Sequence, residues 1–286
     1  MAASSTTQHS SLSELHLLMT YECNFECDHC FVWSGSSMGG TMTDGTLKHI
    51  LGQAEKFGTI EWIYFEGGEP SLYYERLCSG VRMARERGFR TGIVSNASWA
   101  NTDAEALEWL QPFAGVIEDL SVSDDAYHGS REGTQNTLIA RRAAEQLGIP
   151  VDFISVGESS VLYRGRAAKT LAPHVPQKPW NQFTECPWED LRNPSRVHVD
   201  AYGNLHICQG ISIGNLIEHS LTDIMQNFDP DTHPVTGPLL AGGPAELVKR
   251  YKLQHDESYA DACHLCYLSR CKLRGRFPGV LTPDQM

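Results

Sequence analysis

The stretch ELHLLMTYECNFECDHC, residues 14–30, passes from a short apolar run into three cysteines. Leu15, Leu17, Leu18 and Met19 read as a buried strand, and Cys23, Cys27 and Cys30 sit four and then three residues apart just beyond its C-terminal end. The alternation continues down the chain. IEWIYFEGG (60–68), FRTGIVSN (89–96), DLSVSD (119–124) and PVDFISV (150–156) are further short runs rich in Ile, Val, Leu and aromatics. Between them lie DGTLKHILGQAEKF, LYYERLCSGVRMARERG, DAEALEWLQPF and NTLIARRAAEQLG, with apolar residues recurring at three and four and Asp, Ser, Asn or Gly in capping positions. Repeated strand-helix units predict a parallel sheet, open or closed into a barrel. In such folds ligands bind at the C-terminal strand ends, where the cysteine loop lies.

From Arg164 to Trp180 the pattern dissolves into a crossing segment with three prolines. A second region follows: a predicted hairpin, RVHVDAYGNLHIC (196–208), turning at Gly203-Asn204, then a helix over 244–253 and the cysteine-dense CHLCYLSRC. With 286 residues, 41% of them hydrophobic, the chain can bury one large core, or a large and a small one. A net charge of −12 without a long Lys/Arg run argues against broad attraction to nucleic acid or anionic membranes. The N-terminal residues lack a charged segment followed by an apolar core, and no apolar run reaches bilayer length, so a cytoplasmic location is expected. Nine cysteines, an odd count in a long chain of this kind, favour metal or cluster ligation over disulfides.

Structural zinc takes four protein ligands, so three thiolates in one loop would need a distant fourth. Three thiolates suit a 4Fe-4S cluster whose fourth iron is left open. The C-x3-C-x2-C spacing, with His29 before the last cysteine, resembles the radical S-adenosylmethionine superfamily. The resemblance implies a partial (β/α)6 TIM-like barrel over 14–185, after an N-terminus (1–13) expected to be disordered, with 159–165 as the sixth strand. It also implies that Cys23, Cys27 and Cys30 hold the cluster, that its open iron chelates S-adenosylmethionine, and that reduction by a donor such as flavodoxin or ferredoxin releases a 5′-deoxyadenosyl radical. The cofactor carries that chemistry, while the protein supplies orientation and exclusion of water.

In EGGEP (66–70), two glycines allow a close backbone approach and Glu69 offers a carboxylate to an ammonium, while Pro70 also suits the first position of a helix. By resemblance Gly67, Gly68, Glu69 and Pro70 bind the amino end of the cofactor. Ser95 and Asn96 match a ribose-binding position or cap a helix, and Ser123 is similarly placed. Asp124 and Asp125 face either substrate or solvent. Arg131 either pairs with a carboxylate or is a solvated surface residue. Cys78, alone in its helix, reads as a small hydrophobe.

Cys186, Cys208, Cys263, Cys266 and Cys271 resemble the SPASM/twitch extension of the superfamily, which implies a C-terminal α+β domain (186–286) with an auxiliary 4Fe-4S cluster. The full pattern has five residues in the middle gap and further cysteines; here the gap is four and no cysteine follows Cys271. A single cluster on Cys186, Cys208, Cys263 and Cys266 is therefore favoured. Cys271 either replaces Cys186 or is a free thiol, and in related epimerases such a cysteine donates hydrogen to the substrate radical. A zinc site is the alternative. Gln209, after the hairpin cysteine, cannot act as the base found there in the sulfatase-maturating branch. A small polar substrate, oxidised or epimerised, is thus expected ahead of a peptide, and an iron-sulfur or zinc scaffold is the non-catalytic alternative.

Overall fold

The computed structural model describes residues 11–125, 127–128, 131–157, 160–284 and 286, with the backbone alone at 131–134. Five parallel strands joined by four helices open the chain. Strands β1 (Glu14–Leu18), β2 (Trp62–Glu66), β3 (Arg90–Ser95), β4 (Asp119–Ser123) and β5 (Val151–Ile154) are parallel neighbours in sequence order. Helices α1 (Asp44–Phe57), α2 (Tyr74–Glu86), α3 (Asp103–Leu110) and α4 (Arg131–Gln146) return the chain between them. Thr43 and Thr102 cap α1 and α3 by accepting the Thr46 and Glu105 N–H, so two helices start where the sequence places an acceptor. This is the mixed α/β, partial-barrel architecture expected.

Successive side chains on a strand point to opposite faces, and here the two faces differ in kind. Leu15, Leu17, Ile63, Phe65, Ile93, Leu120, Val122 and Val197 are buried in the main core. The alternate positions, Glu14, His16, Tyr64, Glu66, Val94, Asp119 and Ser121, line a cavity on the other face. The strands thus separate a greasy layer from a polar interior.

The sixth parallel strand is not where expected. Residues 160–165 form no strand, because the Arg164 N–H turns back to the Leu162 carbonyl at 2.7 Å. Short helix α5 (Ala167–Thr170) and strand β6 (Lys178–Pro179) follow. The parallel partner is β7 (Arg196–Val199), which joins the far side of β1. Antiparallel β8 (Asn204–Cys208) and β9 (Ile211–Asn215) then extend an eight-stranded sheet of order β5-β4-β3-β2-β1-β7-β8-β9. The predicted hairpin therefore belongs to the main sheet, and the expected boundary at 185/186 falls just before the chain re-enters it.

Helices α6 (Leu221–Asn227) and α7 (Thr236–Tyr251), strand β10 (Ser258–Tyr259) and helix α8 (Ala262–Leu273) complete the chain. Helix α6 packs into the main core through Leu221, Ile224 and Met225, while α7 and α8 contribute to a second, smaller core of Leu191, Ile207, Ile211, Val235, Leu239, Leu247, Leu273 and Leu281, against which Cys186, Cys208 and Cys266 pack. Residues 1–10 of the expected disordered N-terminus lie outside the described residues. Within the remainder, Leu12 is buried and the Ser13 N–H bonds the Ser195 carbonyl at 2.9 Å, so 11–13 are tied to the sheet. Among the described residues no helix is long and apolar enough to cross a membrane.

Candidate active site

Cys23, Cys27 and Cys30 leave the end of β1 and line one cavity of about 230 Å³ with Gly67, Gly68, Ser95, Asn96, Ser123 and His29. Backbone N–H groups of Phe25 and Ser34 donate to the Cys23 and Cys30 sulfurs at 3.4 and 3.3 Å. Burial, with the Glu69 and Cys30 charges nearby, pushes the Cys23 thiol up to about 12. Burial and the two sister cysteines do the same to Cys27, also to about 12. Thiols that ionise so reluctantly alone become thiolates when a metal takes their charge. Three of them facing one cavity, two with backbone donors aimed at sulfur, fit an iron-sulfur cluster.

The loop is held by residues that motif reading passed over. Arg166 donates from its guanidinium to the Cys27 carbonyl at 2.7 Å and to the Ser34 carbonyl, and from its backbone N–H to the Cys30 carbonyl at 2.8 Å. Thr170 Oγ1 donates to the Asp28 carbonyl at 2.8 Å. The crossing segment is therefore a clamp on the cysteine loop. Its signal in the sequence was two arginines flanking Gly165, which bear no fixed spacing to the cysteines.

The glycines of EGGEP pack against this same loop. A Cβ on Gly68 would lie 2.0 Å from the Glu22 carbonyl oxygen, and one on Gly67, whose φ is +143°, 2.6 Å from the Thr20 oxygen. That approach forms the bonds from the Gly68 N–H to Thr20 O, 2.7 Å, and from the Glu69 N–H to Glu22 O, 2.9 Å. The Glu69 carboxylate is fully buried and accepts from the Ser71 N–H (3.0 Å), Ser95 Oγ (2.9 Å) and Asn96 N–H (2.8 Å), which fix it at the rim of the cysteine cavity. Burial raises it above the ordinary carboxylate range despite those donors. Pro70 opens a 3-10 turn that Glu69 caps.

Ser95 and Asn96 are also spoken for. Ser95 Oγ donates to Glu69 and accepts from the Ala97 N–H and the Trp99 indole, at 3.1 and 2.9 Å. Asn96 accepts from the Ser98 N–H at 3.0 Å and donates to Asn24 Oδ1 at 2.9 Å, tying β3 to the cysteine loop. Neither caps a helix, since α3 begins only after Thr102, and both line the cysteine cavity. Asp125 faces neither substrate nor solvent: its side chain is 2% exposed and accepts from the Tyr127 N–H and His128 Nδ1, both at 2.9 Å, with His29 Nε2 3.5 Å away. Burial works to raise it, but the hydrogen bonds from His128 and His29 outweigh that and hold it well below the usual range. Asp124 accepts from Thr137 Oγ1 at 3.2 Å. His29 stacks on Tyr127 with centroids 4.8 Å apart. Arg131 begins α4, and its side chain lies outside the described residues. Cys78 is partly buried against the main core.

Beside the cysteine cavity, and sharing His29, Phe31, Glu66, Val94, Ile154 and Val156 with it, lies a cavity of about 480 Å³ inside the sheet's polar face. His16, Glu66 and His198 meet there: His16 Nδ1 is 3.3 Å from Glu66 Oε2, and His198 Nε2 is 3.4 Å from Glu66 Oε1. Burial acts to lower His16, but the Glu66 charge overrides it and raises the imidazole to about 9. Burial dominates at His198 and lowers it to about 3, while the two imidazoles bring Glu66 down to about 2 against its own burial. Sequence reading missed all three. Their signal was a lone histidine between apolar neighbours in two strands, LHL and VHV.

Cys186, Cys208, Cys263 and Cys266 line a third, apolar pocket together with Arg164 and Arg270. The arginines are 7% and 4% exposed, and neither forms a carboxylate ion pair among the described residues. Arg164 Nη1 instead points at Cys208 Sγ, 3.2 Å away. Arg270 Nη1 donates to the Gln209 carbonyl at 2.9 Å, and two buried cations without a carboxylate partner beside four thiols fit an anionic thiolate-bound centre. Burial pushes Cys266 up to about 12, as it does Cys208 and Cys263 to high values. Cys271 lines none of the three cavities. It lies about two turns beyond Cys263 on α8, so it is displaced along the helix axis from the other two.

The model of the Radical SAM superfamily matches residues 17–158. A tungsten-containing aldehyde ferredoxin oxidoreductase cofactor-modifying protein of Pyrococcus furiosus is 38% identical over 85 residues, covering 29% of this chain and 24% of that protein. An S-adenosylmethionine-dependent nucleotide dehydratase of Fibrobacter sp. is 30% identical over 116 residues, 38% of this chain and 32% of that protein. The chain thus spans at most about a third of these relatives' length. Among solved structures, BtrN in complex with AdoMet and 2-DOIA superposes with a TM-score of 0.55 at 20% identity, over 76% of this chain and 82% of that one, a likeness of fold. Because the family match begins within β1 and runs through the cysteine loop and the four strands that follow, this chain belongs to the radical SAM superfamily, whose members use a 4Fe-4S cluster and S-adenosylmethionine.

Proposed function

We propose that the chain oxidises a small polar molecule, an alcohol or amine, held in the 480 Å³ cavity. The observation that carries this reading is the lining of that cavity: Glu14, His16, Tyr64, Asp119, Ser121 and Gln209 bring hydrogen-bonding groups to one cavity beside the cysteine loop. Cys23, Cys27 and Cys30 would hold the first cluster, with Gly67, Gly68 and Ser123 against S-adenosylmethionine. Cys186, Cys208, Cys263 and Cys266 would hold a second, as a C-terminal module with its own small core. When bound, these groups supply hydrogen-atom abstraction and an acceptor for the remaining electron, so the oxidised carbon loses a hydrogen atom, an electron and, from its heteroatom, a proton. Arg164 lines both the substrate cavity and the auxiliary pocket, which supports electron passage between them. Cys271, outside the cavity, is poorly placed for the hydrogen donation an epimerase needs.

The test supplies the reconstituted, reduced protein with deuterated candidates, sugars, aminocyclitols and other small alcohols and amines, alongside short peptides. Deuterium appearing in 5′-deoxyadenosine identifies the substrate. A product two mass units lighter than the unlabelled substrate supports oxidation. A product of unchanged mass that gains solvent deuterium points to epimerisation, and deuterium transfer from peptides alone refutes the small-substrate reading.

A further inference from the structure

His16, Glu66 and His198 come from three neighbouring strands, β1, β2 and β7 respectively, and converge on the cavity face. Their donor atoms all lie within 4.8 Å of one another. The separations are informative. Imidazole-carboxylate contacts of 3.3 and 3.4 Å are long for charge-assisted hydrogen bonds, which settle at about 2.7–2.9 Å. They run to the two different oxygens of Glu66, so the carboxylate lies between the rings, and each is close to the spacing of about 3.3–3.4 Å between two ligand atoms on a metal whose bonds to nitrogen and oxygen are about 2.0–2.1 Å. Glu66 Oε1 is buried with no hydrogen-bond donor.

The surroundings repeat the pattern of a metal site. The other nitrogen of His16 faces Glu14 Oε2 at 3.4 Å, the carboxylate behind a ligating histidine that orients such rings. On the other side, the Gln209 amide reaches His198 Nε2 at 3.2 Å while its oxygen is buried without a partner. Turning that amide over would present the oxygen at the same place. Two histidines and one carboxylate with open positions toward a cavity form a donor set for divalent transition ions.

We propose that His16, Glu66 and His198 bind a divalent transition ion of the zinc or ferrous class, whose open positions face the substrate cavity. The ion would fix an oxygen or amine of the bound molecule. None of its donors is a cysteine, although Glu66 also borders the cysteine cavity, and the site stands whether or not the oxidation reading does.

The test uses the anaerobically reconstituted protein, so that cluster thiols are occupied, equilibrated with zinc against a competing chelator. Wild type is expected to hold one zinc per chain beyond its iron. His16→Ala and His198→Ala should bind it at least 100-fold more weakly with iron content unchanged, and Glu14→Gln about 10- to 100-fold more weakly. Wild type that holds no zinc, or variants that hold it as tightly, overturn the proposal. Should the variants lose iron through misfolding, X-ray absorption at the zinc edge of the wild type decides: a shell of nitrogen and oxygen alone supports the site, and sulfur scattering places the zinc on cysteines and refutes it.

Discussion

Replacing Gly68 with Ala probes how the second strand's loop carries the cysteine loop. The new Cβ would lie 2.0 Å from the Glu22 carbonyl oxygen and 2.6 Å from its carbon, where ordinary contact begins at 3.4 Å, so the loops must part by about 1.4 Å. Neither neighbour is a flexible side-chain tip. A shift of that size breaks the 2.7 Å bond from Gly68 to Thr20 and the 2.9 Å bond from Glu69 to Glu22. Each contributes about 1 kcal/mol net, and a buried group left unpaired costs about 1–3 kcal/mol, so the loss should total about 2–5 kcal/mol. Because Glu22 precedes Cys23, iron retention should fall with stability. Urea denaturation of the cluster-free chain and iron per chain after reconstitution measure both. Gly52→Ala is the control: it lies within α1 with nothing within 4 Å of its Cβ, and should stabilise by about 1 kcal/mol. A Gly68→Ala protein with wild-type stability and full iron would refute the reasoning.

Other substitutions separate the remaining roles. Arg166→Ala removes two guanidinium bonds to the loop, to the Cys27 and Ser34 carbonyls, and should lower iron retained by the first site while leaving the second loaded; equal iron in both sites would exclude the clamp. Glu69→Gln puts an NH2 group against donors from Ser71, Ser95 and Asn96 and should destabilise by about 2 kcal/mol in urea, a neutral result showing that the carboxylate is not so committed. Cys186→Ala should cost the auxiliary iron and Cys271→Ala should not, as iron and sulfide analysis will report; the reverse outcome would exchange the two cysteines' roles. His233 Nδ1 accepts the Val235 and Thr236 N–H, and burial lowers the imidazole to about 4 from 6.5. Between those pH values the unfolded chain binds a proton that the native chain refuses, so stability falls as pH drops from 6.5 towards 4, by up to about 3 kcal/mol. His233→Asn, which keeps an acceptor, should flatten that slope in urea midpoints; an unchanged slope argues against His233 as its source.

The five strands, the four helices between them and the cysteine loop were legible because each is written locally, in apolar runs, helix caps and close cysteine spacing. The sixth parallel strand was not. RVHV reads as one arm of a hairpin, and its pairing with β1 joins Glu14 to Arg196, a contact no local window contains. The EGGEP motif announced a close approach but not its object, since only the fold reveals that the glycines meet Thr20 and Glu22 and that Glu69 turns inward. His16 and His198 were hidden for the opposite reason: a histidine flanked by apolar residues in a short strand reads as core until a neighbouring strand supplies Glu66. Cys186, Cys208, Cys263 and Cys266 could be grouped by type, but only the fold shows that these four line one pocket and that Cys271 does not.

The measurement that bears most directly on the account is 5′-deoxyadenosine formed from S-adenosylmethionine by the anaerobically reconstituted, dithionite-reduced protein, alongside a variant with Cys23, Cys27 and Cys30 all changed to Ala. The account predicts cleavage by the wild type and none by the variant, which keeps its auxiliary iron. A fully loaded wild type that forms no 5′-deoxyadenosine, or a variant that forms as much, would contradict it and leave the chain an iron-sulfur scaffold or its chemistry elsewhere.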